Sequence, residues 1–140
     1  MTGKFSGLAL AVETPARMVI VSPIDGNPLR AADGTEAWID LLAASGSIGR
    51  QHDRERIDRL TRQQARVVTA EAAETDLNDK LAKLTKGWFL VGFDGEPIDV
   101  PCTRENARDL YQEPDFAWLR DQAIGFANNL GNFPPAVSKN

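Results

Sequence analysis

The first third of the chain carries the pattern of short strands. Apolar residues alternate with small ones over residues 8–12, and a β-branched run follows at residues 18–21. Gly and Pro between residues 23 and 28 are turn residues, because Gly adopts positive φ and Pro presets φ. The apolar run at 38–42 fits a strand or one helical turn, and we favour the strand. Residues 1–48 are therefore predicted to form a small antiparallel sheet.

From residue 49 to 86 the apolar spacing becomes helical. The apolar residues lie mostly three, four or seven positions apart: Ile57, Leu60, Val67, Leu77, Leu81 and Leu84. Acid-before-base pairs at i,i+4 support a helix: Glu55–Arg59, Asp58–Arg62, Asp76–Lys80 and Asp79–Lys83. Such a helix would be about 50 Å long, whereas the radius of gyration expected for this chain length is about 14 Å. The pattern predicts a long charged central helix that either breaks at Val68 and Thr69 or projects and is buried by a partner.

The remaining residues predict a C-terminal helical module over 87–133. An apolar run at 88–93 leads into turn residues at 94–97, which indicates a strand pair. Thr103 can cap a following helix, and Asp115 can cap the next one. Trp88 and Trp118 are expected in the core. Residues 134–140 are expected to be a flexible tail. The fold class predicted for this single domain is mainly α with a small N-terminal antiparallel β-sheet, an α+β arrangement.

Composition narrows the classes of function. Apolar residues make up 42% of the chain and charged residues 26%, which is ordinary for a globular protein. The net charge of −4 disfavours a general nucleic-acid binder. One cysteine, Cys102, leaves no intrachain disulfide, and one histidine, His52, removes most metal sites and Ser–His catalysis. We therefore expect a soluble, non-enzymatic protein with no metal, cofactor, catalytic residue or membrane partner.

Three local features could carry chemistry, and each has a simpler explanation. The carboxylates of Asp94, Glu96 and Asp99 belong to a turn, where Asp bonds to the backbone. The Gly-rich residues 45–49 precede a helix and could hold a phosphate, yet they lack the P-loop Lys, so Ser47 is expected to be an N-cap. His52 is expected on the surface, and Cys102 is expected to act as a small apolar residue.

The basic residues are concentrated in the predicted central helix. Six arginines occur there: Arg50, Arg54, Arg56, Arg59, Arg62 and Arg66. Acidic residues are interleaved with them, so a solvated, ion-paired helix explains the pattern best. A docking surface for an acidic partner is the second interpretation, and nucleic acid is the third.

The third block also carries a series of motifs whose order and spacing are informative. They are Gly87-Trp88, Asp94-Gly95-Glu96-Pro97, Thr103-Arg104-Glu105-Asn106-Ala107, Leu110-Tyr111, Phe116-Ala117-Trp118-Leu119-Arg120-Asp121-Gln122 and Asn132-Phe133. This series resembles the C-terminal part of the tail assembly chaperones of long-tailed bacteriophages. The likeness is tightest over residues 86–133 and extends loosely from residue 17.

The resemblance implies a non-enzymatic role in an infected bacterium or one that carries a prophage. Chaperones of this family bind the tape measure protein in the host cytoplasm, keep it soluble and recruit tail tube subunits that then displace them. Such a protein is not expected in the mature virion. The alternative is a structural virion component, a head–tail connector or tail subunit that stays in the particle.

A tape measure protein exposes apolar helical stripes before the tube encloses them, so its chaperone needs an apolar groove with a charged rim. The predicted partner-binding residues are the apolar stripe of the central helix and its basic flanks: Ile57, Leu60, Val67, Arg56, Arg59, Arg62 and Arg66. Self-association into a ring or spiral would cover the same stripe, and the sequence does not separate the two.

Overall fold

The computed structural model describes residues 3–63 and 68–136. Within these ranges the strands are β1 (Ala16–Val19), β2 (Trp38–Leu41), β3 (Thr85–Val91) and β4 (Pro97–Ile98). The α-helices are α1 (Ser47–Arg62), α2 (Ala70–Leu84), α3 (Arg104–Gln112) and α4 (Ala117–Asn128). Short 3₁₀ turns lie at Ser6–Leu8, Pro114–Phe116 and Leu130–Asn132. The fold is therefore α+β, with one antiparallel sheet of four strands in the order β1-β2-β3-β4.

The sheet is not confined to the N-terminal region, so that part of the predicted fold class is wrong. The runs predicted at 18–21 and 38–42 form strands as β1, which lies two residues earlier, and β2, whereas the alternating residues 8–12 form no strand. Strand β2 also pairs with β3, with Ile39 opposite Trp88 and Trp38 opposite Phe89. Two strands of four residues each bury too little surface to be stable alone. Pairing of β2 with the apolar strand β3 enlarges the sheet and increases the surface that it buries.

The predicted strand pair after residue 87 is confirmed as the β3–β4 hairpin. Leu90 lies opposite Ile98. Gly95 takes a positive φ of 82° at the turn, which a side-chain-bearing residue rarely adopts. Asp94 accepts a hydrogen bond from the Glu96 amide at 3.0 Å, as expected for a turn carboxylate.

The long central helix is also wrong, because two shorter helices replace it. Helix α1 has 16 residues and α2 has 15, about 24 and 22 Å respectively. Thr69 is extended and caps α2 by accepting a hydrogen bond from the Ala72 amide at 3.1 Å. A β-branched residue with a hydroxyl stabilises a helix more as a cap than in its interior. The break near Val68 and Thr69, one of the two alternatives, is thus the outcome.

The core lies between the inner face of the sheet and helices α2, α3 and α4. Met18, Ile39 and Leu41 point inward from β1 and β2. They meet buried residues of the helices: Leu81, Ala107, Tyr111, Leu119 and Ala123. The outer face of the sheet is more polar, because Arg17 pairs with Asp40 at 3.0 Å and lies over the Trp38 ring.

Helix ends follow the sequence only in part. Thr103 caps α3 as predicted, accepting a hydrogen bond from the Asn106 amide at 3.1 Å. Asp115 does not cap α4, since it lies inside the 3₁₀ turn Pro114–Phe116 that precedes that helix. Within the expected tail, Pro134 accepts from the Ala11 amide at 2.8 Å, and residues 137–140 lie outside the described ones. None of the helices in the described ranges is long and apolar enough to cross a bilayer.

Candidate functional site

An apolar groove of about 430 Å³ opens between the β3–β4 hairpin and helices α3 and α4. The hairpin and its exit segment supply one wall, and the two helices with the 3₁₀ turn between them supply the other. Its principal apolar lining residues are Trp88, Leu90, Phe93, Ile98, Val100, Leu110, Phe116, Trp118 and Leu119.

Four large apolar residues of this groove are left uncovered. Phe93 is 57% exposed, Ile98 48%, Val100 42% and Phe116 41%. Single exposed apolar residues are ordinary on protein surfaces, whereas a contiguous group around a concavity is typical of an interaction site. The groove is therefore the strongest candidate for a binding surface in the described part of the chain.

The two tryptophans that the sequence placed in the core form the groove wall instead. Trp88 and Trp118 pack against the core on one side, yet both are only half-buried. The Trp88 indole N–H donates to the Val100 carbonyl at 2.7 Å, which fixes the ring. The Phe93 and Trp118 rings lie 5.6 Å apart, in a tilted arrangement common for aromatic pairs. The expectation of core residues therefore holds only in part, since both rings pack against the core yet stay partly exposed in the groove.

The charged residues of the groove are acidic. Asp109 and Asp115 line it, and among the described residues no Lys or Arg lines it. Neither carboxylate has an ion-pair partner within 4 Å in that part of the chain. An apolar segment with basic flanks would match both the surface and its charge.

Two of the four arginines of the predicted partner surface form ion pairs within the molecule. Arg56 Nε lies 3.2 Å from Asp76 Oδ2, and Arg59 Nη2 lies 3.2 Å from Asp76 Oδ1. His52 Nε2 also contacts Asp76 Oδ1, at 3.1 Å. Lys80 pairs with Asp53 in the same way, so the ion pairs join α1 to α2. The later residue of α1, Arg59, pairs with the earlier residue of α2, Asp76, and the earlier Asp53 pairs with the later Lys80. The two helices are therefore antiparallel.

The other residues of that predicted surface differ in their exposure. Ile57 is 60% exposed, Leu60 is half-buried and Arg62 is exposed at the end of α1. Val67 and Arg66 lie outside the described residues. The structure thus brings Arg56 and Arg59 together at one carboxylate. The role of the predicted surface in partner binding stays a prediction.

His52 was expected on the surface, and this is wrong. The residue is 5% exposed and lies between α1 and α2. Its Nδ1 lies 2.9 Å from the Lys83 ammonium, which can only donate, while its Nε2 lies next to the Asp76 carboxylate, which can only accept. These partners fit a ring that donates from Nε2 to Asp76 and accepts at Nδ1 from Lys83.

The Gly-rich residues 45–49 hold a carboxylate of the chain itself. Glu13 accepts hydrogen bonds from the Ser47 amide, at 2.7 Å, and from the Ser47 hydroxyl. These bonds, the side-chain one first, lower the pKa of Glu13 below its ordinary value. Ser47 is the first residue of α1 and Gly46 is its N-cap, so the predicted Ser47 cap is wrong. Where a phosphate could have bound, Glu13 stabilises the positive end of the helix.

The remaining candidates do not assemble a reaction centre. Residues 3–63 and 68–136 contain no group of three or more His, Cys, Asp and Glu side chains that could hold a metal ion. Cys102 is half-buried, and burial raises the pKa of its thiol, which makes it a poor nucleophile at neutral pH.

The sequence signal for the groove lay in the motifs of the third block. Trp88, Leu110 and Phe116 were singled out there, and so were Trp118 and Leu119; all five line the groove. The exposed Phe93, Ile98 and Val100 were missed, because only the hairpin geometry shows that they stay uncovered. A scan against known protein families, a search of curated proteins and a search of solved structures each find no match for the chain.

Proposed function

We propose that the protein is a non-enzymatic tail assembly chaperone of a long-tailed phage or prophage. It uses the apolar groove to hold a helical segment of the tape measure protein in the host cytoplasm, until tail tube subunits displace it. The observation that carries this proposal is that the chaperone-like motifs converge on the groove. Residues from three separate motifs, Trp88, Leu110 and Trp118, share its lining.

The groove has the properties that a helix-binding surface needs. An amphipathic helix inserts apolar anchors into a concave apolar surface, and its polar residues meet the rim. Phe93 and Trp118 offer aromatic contact area, while Asp109 and Asp115 offer acidic rim positions. Because the groove opens at the surface, a competing subunit can reach it and displace the bound segment.

Co-expression with the tape measure protein tests the proposal. It also compares the groove with the α1 surface that the sequence predicted. Phe93 in the groove and Ile57 on α1 are matched in exposure, 57% and 60%. We expect Phe93→Ser to lower the soluble, co-purifying tape measure protein at least tenfold, as loss of an aromatic anchor would. Ile57→Ser should leave it unchanged.

Other results would redirect or reject the proposal. If Ile57→Ser or Leu60→Asp abolished solubilisation while Phe93→Ser did not, the partner surface would lie on α1. If the unaltered protein did not bind the tape measure protein, the chaperone function would be rejected. If the protein remained in purified virions, the structural virion component would replace it.

A further inference from the structure

A second cleft, of about 560 Å³, opens where α1, the end of α2 and the start of β3 meet the segment before α3. It shares no lining residue with the apolar groove. Its charged lining is three cations, Lys83, Lys86 and Arg104, and one carboxylate, Glu55. In a chain with a net charge of −4, this is a local excess of positive charge.

Two of these cations lack an internal counter-ion in the described residues. Lys83 Nζ lies 3.7 Å from Glu55 Oε2, whereas Lys86 and Arg104 have no carboxylate within 4 Å. Of the nine other arginines in the described residues, six have one, such as Arg17 and Arg120. Uncompensated cations beside a concave surface attract and hold anions.

The third cation is held in place before any ligand arrives. Lys83 Nζ lies 2.9 Å from His52 Nδ1, and the buried His52 ring is itself held by Asp76. The Lys83 side chain is only 20% exposed. Fixing a long side chain in advance reduces the entropy lost on binding. The cleft thus combines one preorganised ammonium with two exposed cations that have no carboxylate partner in the described residues.

We propose that this cleft binds a small, multiply charged phosphate-bearing molecule. Lys86 and Arg104 contact its phosphate oxygens, and Lys83 supplies the fixed third charge. A guanidinium can donate two parallel hydrogen bonds to a phosphate, and ammonium groups add point charges. The cleft volume falls within the range of small-molecule sites, so it accommodates a ligand larger than free phosphate. The site does not depend on the proposed chaperone function.

Isothermal titration of the full chain with pyrophosphate, and separately with citrate at equal ionic strength, tests the site. We expect saturable pyrophosphate binding that is weakened about tenfold by Lys86→Gln and by Arg104→Gln. The control is Arg54→Gln, because Arg54 is an exposed cation of α1 outside the cleft and should not change the affinity.

Three results would overturn the assignment. One is the absence of saturable binding of either anion. Another is an equal loss of affinity in Arg54→Gln and Lys86→Gln, which would indicate only general charge attraction. Tighter binding of citrate than of pyrophosphate would reject the phosphate class in favour of a carboxylate ligand. An unchanged melting temperature of the Lys86 and Arg104 variants without anion confirms that the fold is intact.

Discussion

The α1–α2 helix pair and the groove between the β3–β4 hairpin, α3 and α4 expose opposite kinds of residue. The helix pair is rich in charge, but many of its charges are paired within the molecule: Asp76 alone contacts His52, Arg56 and Arg59. The groove is rich in apolar surface, and Phe93 and Phe116 are left without cover. A high local content of charged or apolar residues is therefore a weaker indication of a binding site than the residues among them that have no partner or cover within the fold.

The two regions also differ in the binding free energy that each can offer a partner. An exposed ion pair contributes about 0–1 kcal/mol, so replacing it with a partner's charge gains little. Burying apolar surface contributes about 25 cal/mol per Å². The groove thus offers a partner more binding free energy than the charged helices do.

The largest expected effect concerns Tyr111, which anchors the α3 wall of the groove to α2 and β3. Tyr111 is fully buried, and its hydroxyl lies 2.8 Å from Thr85 Oγ1, which donates to the Leu81 carbonyl. Tyr111→Ala should lower the free energy of unfolding by about 3–5 kcal/mol, measured by urea denaturation. Tyr111→Phe keeps the ring and should cost about 1 kcal/mol. Equal losses in both variants would show that packing of the ring is unimportant.

The next effect concerns the shared carboxylate of the helix pair. Asp76→Ala leaves His52, Arg56 and Arg59 without their common partner and should cost about 1–3 kcal/mol in the same measurement. Asp58 is an exposed acid of α1 with no ion pair in the described residues, so Asp58→Ala should stay within about 0.5 kcal/mol. A loss of the same size in both variants would contradict the central role of Asp76.

The groove residues should be nearly neutral for stability. Phe93→Ser should change the free energy of unfolding by about 0.5 kcal/mol or less, because the ring is already 57% exposed. Leu119, 5% exposed beneath the same groove, provides the contrast, since Leu119→Ala should cost about 2–5 kcal/mol. A large loss in Phe93→Ser would mean that the groove is core, and the comparison of the two regions would fail.

The smallest effect is a pH dependence at Glu13. Its bonds to Ser47 favour the carboxylate and lower its pKa below the ordinary 4.5. This stabilisation is therefore present above pH 4.5 and is lost as pH falls through the lowered pKa. Glu13→Gln should reduce the melting temperature at pH 6, and the gap to the unaltered protein should be smaller at an acidic pH below 4.5. An identical gap at both pH values would contradict the assignment to the carboxylate.

The sequence alone determined part of the local structure. The strand predicted at 38–42, the turn at Gly95 and the Thr103 cap depend on residues a few positions apart, and the strand predicted at 18–21 lies only two residues earlier. The motifs of the third block also contained five of the nine principal apolar residues that line the groove, including Trp88 and Trp118. These predictions succeeded because turn, cap and alternation rules act within one element.

The tertiary structure decided which elements meet and what stays uncovered. The pairing of β2 with β3, the burial of His52 and the replacement of in-helix ion pairs by pairs between α1 and α2 all join residues distant in sequence. The exposure of Phe93 depends on how closely α3 and α4 approach the hairpin. Apolar spacing records that a residue prefers burial, whereas the packing of the whole chain determines whether a neighbour is available to bury it.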